Sequence, residues 1–496
     1  MHSLANYTTE DKNIMRNILA TLVLAAVPAL ILSACNGNAA GTGVSAIPNA
    51  ASSSTSHGSR VHRNDTGADL EAGGATFPAY AYNLGNQPTG QGTGPRTPPG
   101  TGSLFAAYGG SGNIYYCLTG SGFGRSEFES NNGTATVACQ PLGATPAGFG
   151  ARQDPLDFVG SDVAMASTEC CATGTTYNTG RIATSPSYGQ PFEFPTIGGP
   201  IVFGFRPHDF TTSNIQFSTW TYCAIVNGTI GDWNDPAITA DNGGSVTGGV
   251  SQPITFYYRS DKSGTSYLFQ NHLNTACDQS FGAPYNSYPY GSPSRTATWP
   301  GTVSQSWTGP TGGQASGSTF IGASGNPGVL AAVQSTPFGT GYLEGAWAAS
   351  GNPHVGQASL QDTGDTTFVS PTNKTAVQNA LKKVIKSNIT FGGGSDGNPL
   401  QSSTPWCQLY LNPSLFALPP TGAYPIVGLS YMLFYGNNQG VHLADKKTLI
   451  NFIVSSAANS IVKKLEYAPL SGSIHKAVLT ALNGTTGRHA QSACLQ

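Results

Sequence analysis

Apolar residues recur along this chain in two rhythms. Leu156 to Val159, Pro200 to Phe205 and Ile254 to Tyr258 are short apolar runs bounded by turn-forming residues, and they read as β-strands. Helical stripes lie elsewhere. Thr375 to Ser387 carries Val377, Leu381, Val384 and Ile385 on one face, and Asp445 to Leu465 carries Leu449, Ile453, Ala457 and Ile461. Strands alternating with helices predict α/β lobes built on parallel sheets, with the stripes as core faces. A chain of 496 residues has room for two or three domain-sized units, and two lobes suffice.

Four stretches interrupt the pattern. Residues 1–35 read as an export signal, because Ile18 to Leu32 is an apolar run too short to span a bilayer and ends in small residues. Met15-Arg16-Asn17 already supplies an n-region, so Met15 is an alternative start. The run closes with Leu32-Ser33-Ala34-Cys35, which resembles a bacterial lipobox whose cysteine becomes the lipidated first residue; Asn36 beside it points to the outer membrane. Residues 36–66 are small and polar, cannot bury enough surface to offset chain entropy, and read as a tether. Gly90 to Gly102 and Asn286 to Gly317, rich in Gly, Pro and Ser or Thr, read as surface insertions.

Only 9% of residues are charged and the formal net charge is −2, which gives no electrostatic footprint for nucleic acid. A small anion would here depend on local dipoles and one or two buried charges. Of nine cysteines, eight remain beyond Cys35: Cys117, Cys139, Cys170, Cys171, Cys223, Cys277, Cys407 and Cys494. An even number in an exported chain makes disulfides the default, and counting leaves their connectivity open. No pair has zinc-site CxxC spacing, and the histidines, among them His208, His272, His354 and His442, show no ligand spacing, so neither metal nor cofactor is expected.

Four small-residue turns stand where a strand hands over to a helix, where unpaired backbone N–H groups make an anion site. The strongest is Tyr258-Arg259-Ser260-Asp261-Lys262-Ser263-Gly264-Thr265-Ser266. Ser263 can cap the following helix, Gly264 lets backbone approach a ligand, Thr265 adds a hydroxyl, and Arg259 supplies a fork that Asp261 can hold. The second is Gly73-Gly74-Ala75-Thr76-Phe77-Pro78, where Thr76 and the Phe77 amide would face the ligand. The third, Gly120-Ser121-Gly122-Phe123-Gly124, mimics a dinucleotide fingerprint, but Arg125 stands where the last glycine belongs. The fourth, Asp157-Phe158-Val159-Gly160-Ser161-Asp162, ends in a carboxylate. Any one of these turns alone reads as an ordinary capped helix or loop; their combination carries the argument.

Asp162 adds the chemical logic. A carboxylate facing an anion repels it unless the anion brings a proton to donate. Monobasic and dibasic phosphate bring one and sulfate at neutral pH does not, so the acceptor disfavours sulfate.

With these turns in hand, the chain after Asp69 resembles the PstS-type periplasmic phosphate-binding proteins, and still more their DING-type relatives. The ordered set also includes Phe192 to Phe205, Gly231-Asp232-Trp233-Asn234-Asp235-Pro236, Gly325-Asn326-Pro327-Gly328-Val329, Gly341-Tyr342-Leu343-Glu344 and Tyr424-Pro425-Ile426-Val427-Gly428. The resemblance implies a two-lobe periplasmic-binding-protein fold of type II, with the ligand between lobes joined by crossings near Pro195 to Val202 and Ala417 to Leu429. One lobe would comprise residues 67–197 and 424–496, the other 198–423. It implies a phosphate shell of Thr76, Phe77, Ser121, Asp162, Arg259, Ser263, Gly264 and Thr265, with Ser111 the alternative to Ser121. It also suggests that Cys223 pairs with Cys277. Further pairings are Cys407 with Cys494 and Cys117 with Cys139, while the pairing of Cys170 and Cys171 stays open, since a bridge between them would be a strained vicinal one. The departures are the long insertions and the additional cysteine pairs near the cleft.

The function so implied is that of the phosphate receptor of an ABC uptake system: not an enzyme, a monomer held to the membrane by its lipid alone, in the periplasm or on the surface of a Gram-negative cell. Two rivals stand beside it. A DING-like phosphatase would need a nucleophile or a metal pair, and a surface scavenger or adhesin would keep the phosphate site without a permease.

Overall fold

A computed structural model describes residues 69–86, 98–130, 156–183, 186–277, 281–291, 295–387, 389–437, 441–488 and 490–496. The expected signal, Cys35, the tether and Cys139 lie outside these residues. In chain order the principal elements are β1 (Leu70–Gly74), β2 (Ile114–Leu118), α1 (Ser121–Ser130), β3 (Phe158–Ser161), β4 (Pro191–Phe205), β5 (Thr255–Arg259), α2 (Gly264–Ala276), β6 (Thr319–Ala323), α3 (Gly325–Ser335), β7 (Gly339–Glu344), α4 (Lys374–Ser387), β8 (Val427–Tyr435), α5 (Leu443–Ile453) and α6 (Ser456–Lys464).

Among the described residues these strands form an eleven-stranded sheet in the order β2-β1-β3-β8-β4-β7-β5-β6, completed by three short strands. β1 runs parallel to β2 and β3, and β5 runs parallel to β6 and β7. The two parallel groups are joined through β4. Its Pro191–Pro200 part pairs with β8 and its Ile201–Phe205 part with β7. All 15 residues of β4 are buried, which is why its sequence reads as a nearly unbroken apolar run. Proline, which cannot donate to a ladder, appears in β4 only at Pro191, its first residue, at Pro195, beside a register shift opposite Ser430 and Tyr431, and at Pro200, where the partner changes. The Ile201 N–H donates to the Ile426 carbonyl at 2.9 Å, so the two expected crossings lie side by side.

The α/β architecture expected from the sequence is therefore present, with local differences. The strand expected at Leu156 begins at Phe158, and the strand expected at Ile254 to Tyr258 runs from Thr255 to Arg259. The helix expected from Asp445 to Leu465 is two helices, α5 and α6. The Ser455 hydroxyl accepts the Ala458 N–H at 3.1 Å, so this serine caps a new helix rather than continuing the old one. Cys223–Cys277, Cys407–Cys494 and the vicinal Cys170–Cys171 are all bonded. Cys117 is also disulfide-bonded, but its expected pairing with Cys139 falls outside the described residues.

The second insertion is a correction. Asn286 to Gly317 was expected to be a surface loop, yet Tyr290 and Trp299 are buried and Trp307 lies parallel to Tyr258 at 5.4 Å. The anchor is Gln270 of α2, fully buried. Its Nε2 donates to the carbonyls of Ser304 (2.7 Å) and Ser306 (3.0 Å), and its Oε1 accepts the Thr308 N–H (2.9 Å) and hydroxyl (2.7 Å). Glycine and serine content signalled irregular backbone but not its burial, because one amide and the tryptophan rings supply the partners. We expect Gln270→Ala to cost about 2–4 kcal/mol, seen as a lower thermal midpoint together with new protease cleavage between Thr302 and Thr308. An unchanged midpoint with that segment still resistant would contradict this role.

Candidate functional site

The ends of the parallel strands assemble the site. Gly74 of β1 pairs with Leu118 of β2 and Gly160 of β3, so these strands end side by side and the chain beyond them delivers Thr76 and Phe77, Ser121, and Asp162. Arg259 of β5 pairs with Ala323 of β6, and the chain beyond delivers Asp261, Ser263 to Thr265, and Gly325. The carboxyl ends of parallel strands are where open α/β sheets take their ligands.

The two sets meet. The Gly122 N–H donates to the Lys262 carbonyl at 3.0 Å. Asn326 Nδ2 donates to Thr76 Oγ1 at 3.2 Å, and Trp347 Nε1 donates to the Thr76 carbonyl at 2.7 Å. A Cβ on Gly122 would stand 2.3 Å from Lys262 Cβ, so this approach requires glycine. Outward from the contact opens a cavity of about 630 Å³ whose walls include Gly122, Arg125, Lys262 and Gln305. The last of these comes from the insertion, whose Gln305 carbonyl accepts the Ser263 N–H at 2.9 Å.

All eight expected shell residues are buried and come together. Arg259 donates through Nε to Asp261 Oδ1 (2.7 Å) and through Nη2 to Oδ2 (2.5 Å), a bidentate pair, and Nη1 donates to Thr265 Oγ1 at 3.3 Å. Asp261 also accepts the Gly325 N–H at 2.9 Å, fixing the pair from α3. Ser263 caps α2 by accepting the Ser266 N–H at 3.2 Å. Across from it, Ser121 at the start of α1 donates to Asp162 Oδ2 at 3.2 Å. Gly264 lies against that pair: a Cβ there would be 2.6 Å from both Asp162 Cβ and Ser121 Oγ, and 2.9 Å from Asp162 Oδ2. Phe77 follows Thr76 on the same turn, and its carbonyl accepts the Tyr467 hydroxyl at 2.7 Å. Ser111 is not part of the group; it is exposed and donates to Asp445.

Four neighbours were not assigned roles from sequence. Ser430 on β8 donates to Asp162 Oδ1 at 2.5 Å. Asn326 links Thr76 to the Gly325 turn. The Tyr342 hydroxyl accepts the Arg259 N–H at 3.2 Å, and Glu344, fully buried, accepts the Ala346 N–H at 2.9 Å and the Tyr467 hydroxyl at 3.1 Å. A lone serine inside the run Val427–Tyr435 was the available signal for Ser430; the other three stood in quoted segments without a visible target. The histidines lie elsewhere: buried His272 bonds Tyr222 and the Ala417 carbonyl, His442 contacts Asp157, and His208 contacts Arg206.

The electrostatics are those of a site closed to water. Burial pushes the Asp162 carboxyl up to about 7, against the opposing pulls of Ser430, Arg259 and Ser121. Burial opposes the Arg259 charge, yet Asp261 holds its pKa above the ordinary value. Burial likewise raises Glu193 and Glu129 to about 7 and Glu344 well above its ordinary value. A carboxyl whose folded pKa exceeds its unfolded one binds more protons in the native state, so the stability it contributes is complete below the unfolded value and is lost as pH rises through about 7. Without phosphate, the thermal midpoint should therefore rise as the buffer is taken from pH 8 to pH 6. A flat or falling midpoint would contradict these raised values.

A family model described as a PBP superfamily domain matches residues 119–457. The phosphate-binding protein PstS 2 of Mycobacterium tuberculosis is 29% identical over 292 residues, covering 58% of this chain and 64% of that protein. PstS of Methanocaldococcus jannaschii is 27% identical over 261 residues, covering 52% and 57%. The chain thus spans less than two thirds of the length of these relatives. Among solved structures, the phosphate-bound periplasmic protein PfluDING aligns with a TM-score of 0.55 at 19% identity over 86% of this chain and 96% of that one. A phosphate-binding protein from Stenotrophomonas maltophilia aligns at 0.55 and 20% over 84% and 94%. At such identities the likeness is one of fold. With more than half its length matched by the family model and its strand ends converging on one buried site, the chain belongs to the PBP superfamily.

Proposed function

We propose that this chain binds inorganic phosphate between its two lobes and serves as the substrate-binding component of a phosphate uptake system. The carrying observation is a buried carboxylate, Asp162, that stands outside the Arg259–Asp261 pair and lies beside the Ser121 hydroxyl, which donates to it, and the backbone of Gly264 at the start of α2. We assign the ligand shell to Thr76, Phe77, Ser121, Asp162, Arg259, Ser263, Gly264 and Thr265. Arg259 is neutralised by Asp261, so hydrogen bonds rather than excess positive charge hold the anion. A ligand must also bring a hydrogen to Asp162, which phosphate does and sulfate does not.

The lobes in this reading are residues 67–197 with 424–496, and 198–423; the change of partner along β4 at Pro200 and Ile201 supports that division. Relatives such as PstS 2 are named phosphate-binding proteins, which supports binding rather than catalysis; delivery to an ABC permease is the role we assign on that basis. The Leu32 to Cys35 sequence supports export and a lipid anchor, and Asn36 supports the outer membrane; we take the chain to act there as a monomer, outside the cytoplasm.

Titration calorimetry at about pH 8.5, above the Asp162 transition, should show phosphate bound and sulfate refused; equal binding of both, or of neither, would refute the reading. Asp162→Asn, which turns the acceptor into an amide donor, should weaken phosphate by about tenfold to a hundredfold and admit sulfate. An unchanged preference would remove Asp162 from its assigned role. Gly264→Ala should abolish tight phosphate binding with the fold intact, since its methyl group would occupy the space beside Asp162 and Ser121. Retained affinity would place the ligand elsewhere.

A further inference from the structure

We infer that Ser430 is a specificity-determining positioning residue: its hydroxyl occupies one oxygen of Asp162 and leaves the other as the single acceptor offered to an oxyanion. The inference rests on the phosphate reading above and names the part of the site that sets its proton requirement.

The geometry has three parts. Ser430 is fully buried and its Oγ donates to Asp162 Oδ1 at 2.5 Å. Asp162 Oδ2 accepts the Ser121 hydroxyl at 3.2 Å, lies 2.9 Å from where a Gly264 Cβ would stand, and keeps its second lone pair for a ligand. The backbone that aims Ser430 is irregular: Ser430 pairs with Ile197 and Tyr431 with Pro195, leaving Thr196 as the extra residue of a bulge. Bulges beside functional sites redirect side chains. This one is braced, because Thr196 Oγ1 donates to the Ser430 carbonyl at 2.9 Å and meets the Tyr82 hydroxyl at 2.5 Å. The interruption of the β4–β8 ladder thus coincides with the residue that holds Asp162.

A hydrogen bond donated to a carboxylate favours its charged form, and only the charged form is purely an acceptor. The titratable and charged groups around Asp162 are Arg259 and Asp261 beyond β5, Glu344 at the end of β7, and Tyr82 and Tyr116 from the β1–β2 side. Of these, Arg259 alone also favours the carboxylate, and Asp261 already engages its fork. Without Ser430 the carboxyl holds its proton to higher pH, becomes a donor, and accommodates sulfate.

The test is calorimetry with phosphate and with sulfate across about pH 5.5 to 8.5 on the wild-type protein, Ser430→Ala and Ser430→Thr. In the wild type, sulfate binding should appear only as pH falls through the Asp162 transition. In Ser430→Ala that onset should move up by about one pH unit, equivalent to about threefold tighter sulfate binding midway between the two onsets and approaching about tenfold above both. Ser430→Thr, which keeps the hydroxyl, should restore the wild-type onset. A structural role alone would lower both affinities without moving the onset. The same onset in the Ala variant, or an equal upward shift in the Thr variant, overturns the inference while leaving phosphate binding in place. A wild-type protein that takes up no phosphate overturns the reading beneath it.

Discussion

The site depends on a guanidinium removed from water. Arg259 is 1% exposed and could not stay charged there without Asp261 gripping it at 2.7 and 2.5 Å. That grip uses Nε and one side of the fork, and it is itself fixed by the Gly325 N–H at the start of α3. What remains is an oriented but electrically neutral pair. An anion entering such a site meets no excess positive charge, so its affinity has to come from the number and direction of N–H and O–H groups. In a chain with so few charges, this is the available way to hold a small anion.

The fold serves that constraint. Parallel strands ending in register bring the starts of α1 and α2 to the same place, and the long strand β4 lets one sheet carry both groups of strands. Its prolines sit only where the ladder can spare a donor, and the bulge opposite Ser430 falls where β8 passes Asp162. The insertion from Asn286 to Gly317 is clamped by Gln270 and presents Gln305 both to the Ser263 amide and to the cavity outside the site. It extends the α2 wall between the site and that cavity.

Much of this was legible in the chain. The turns around Arg259, Ser121 and Asp162 announce themselves, because glycine, serine and threonine after an apolar run leave few other structural meanings when they recur. Of Ser121 and its alternative Ser111, the structure sets Ser121 beside Asp162 and Ser111 out on the surface against Asp445. The sequence could not reveal contacts that depend on tertiary register. Ser430 lies 268 positions from Asp162 along the chain, and its direction is set by a bulge that no local pattern encodes. Gln270 reads as one polar residue on a helix until the loop it anchors is seen folded back. The single helix expected from Asp445 to Leu465 failed for a local reason, since Ser455 gains more as a cap than as a mid-helix residue.

In the proposed site a proton carried by the ligand lies between it and Asp162. Neutron diffraction from crystals grown with phosphate would locate that proton directly. The expected map shows a tetrahedral anion bonded by the Arg259 fork, the Ser121 hydroxyl and the amides at the start of α2, with a hydrogen lying between one of its oxygens and Asp162 Oδ2. A phosphate bound with Asp162 turned away, or with no hydrogen between the two oxygens, would contradict it.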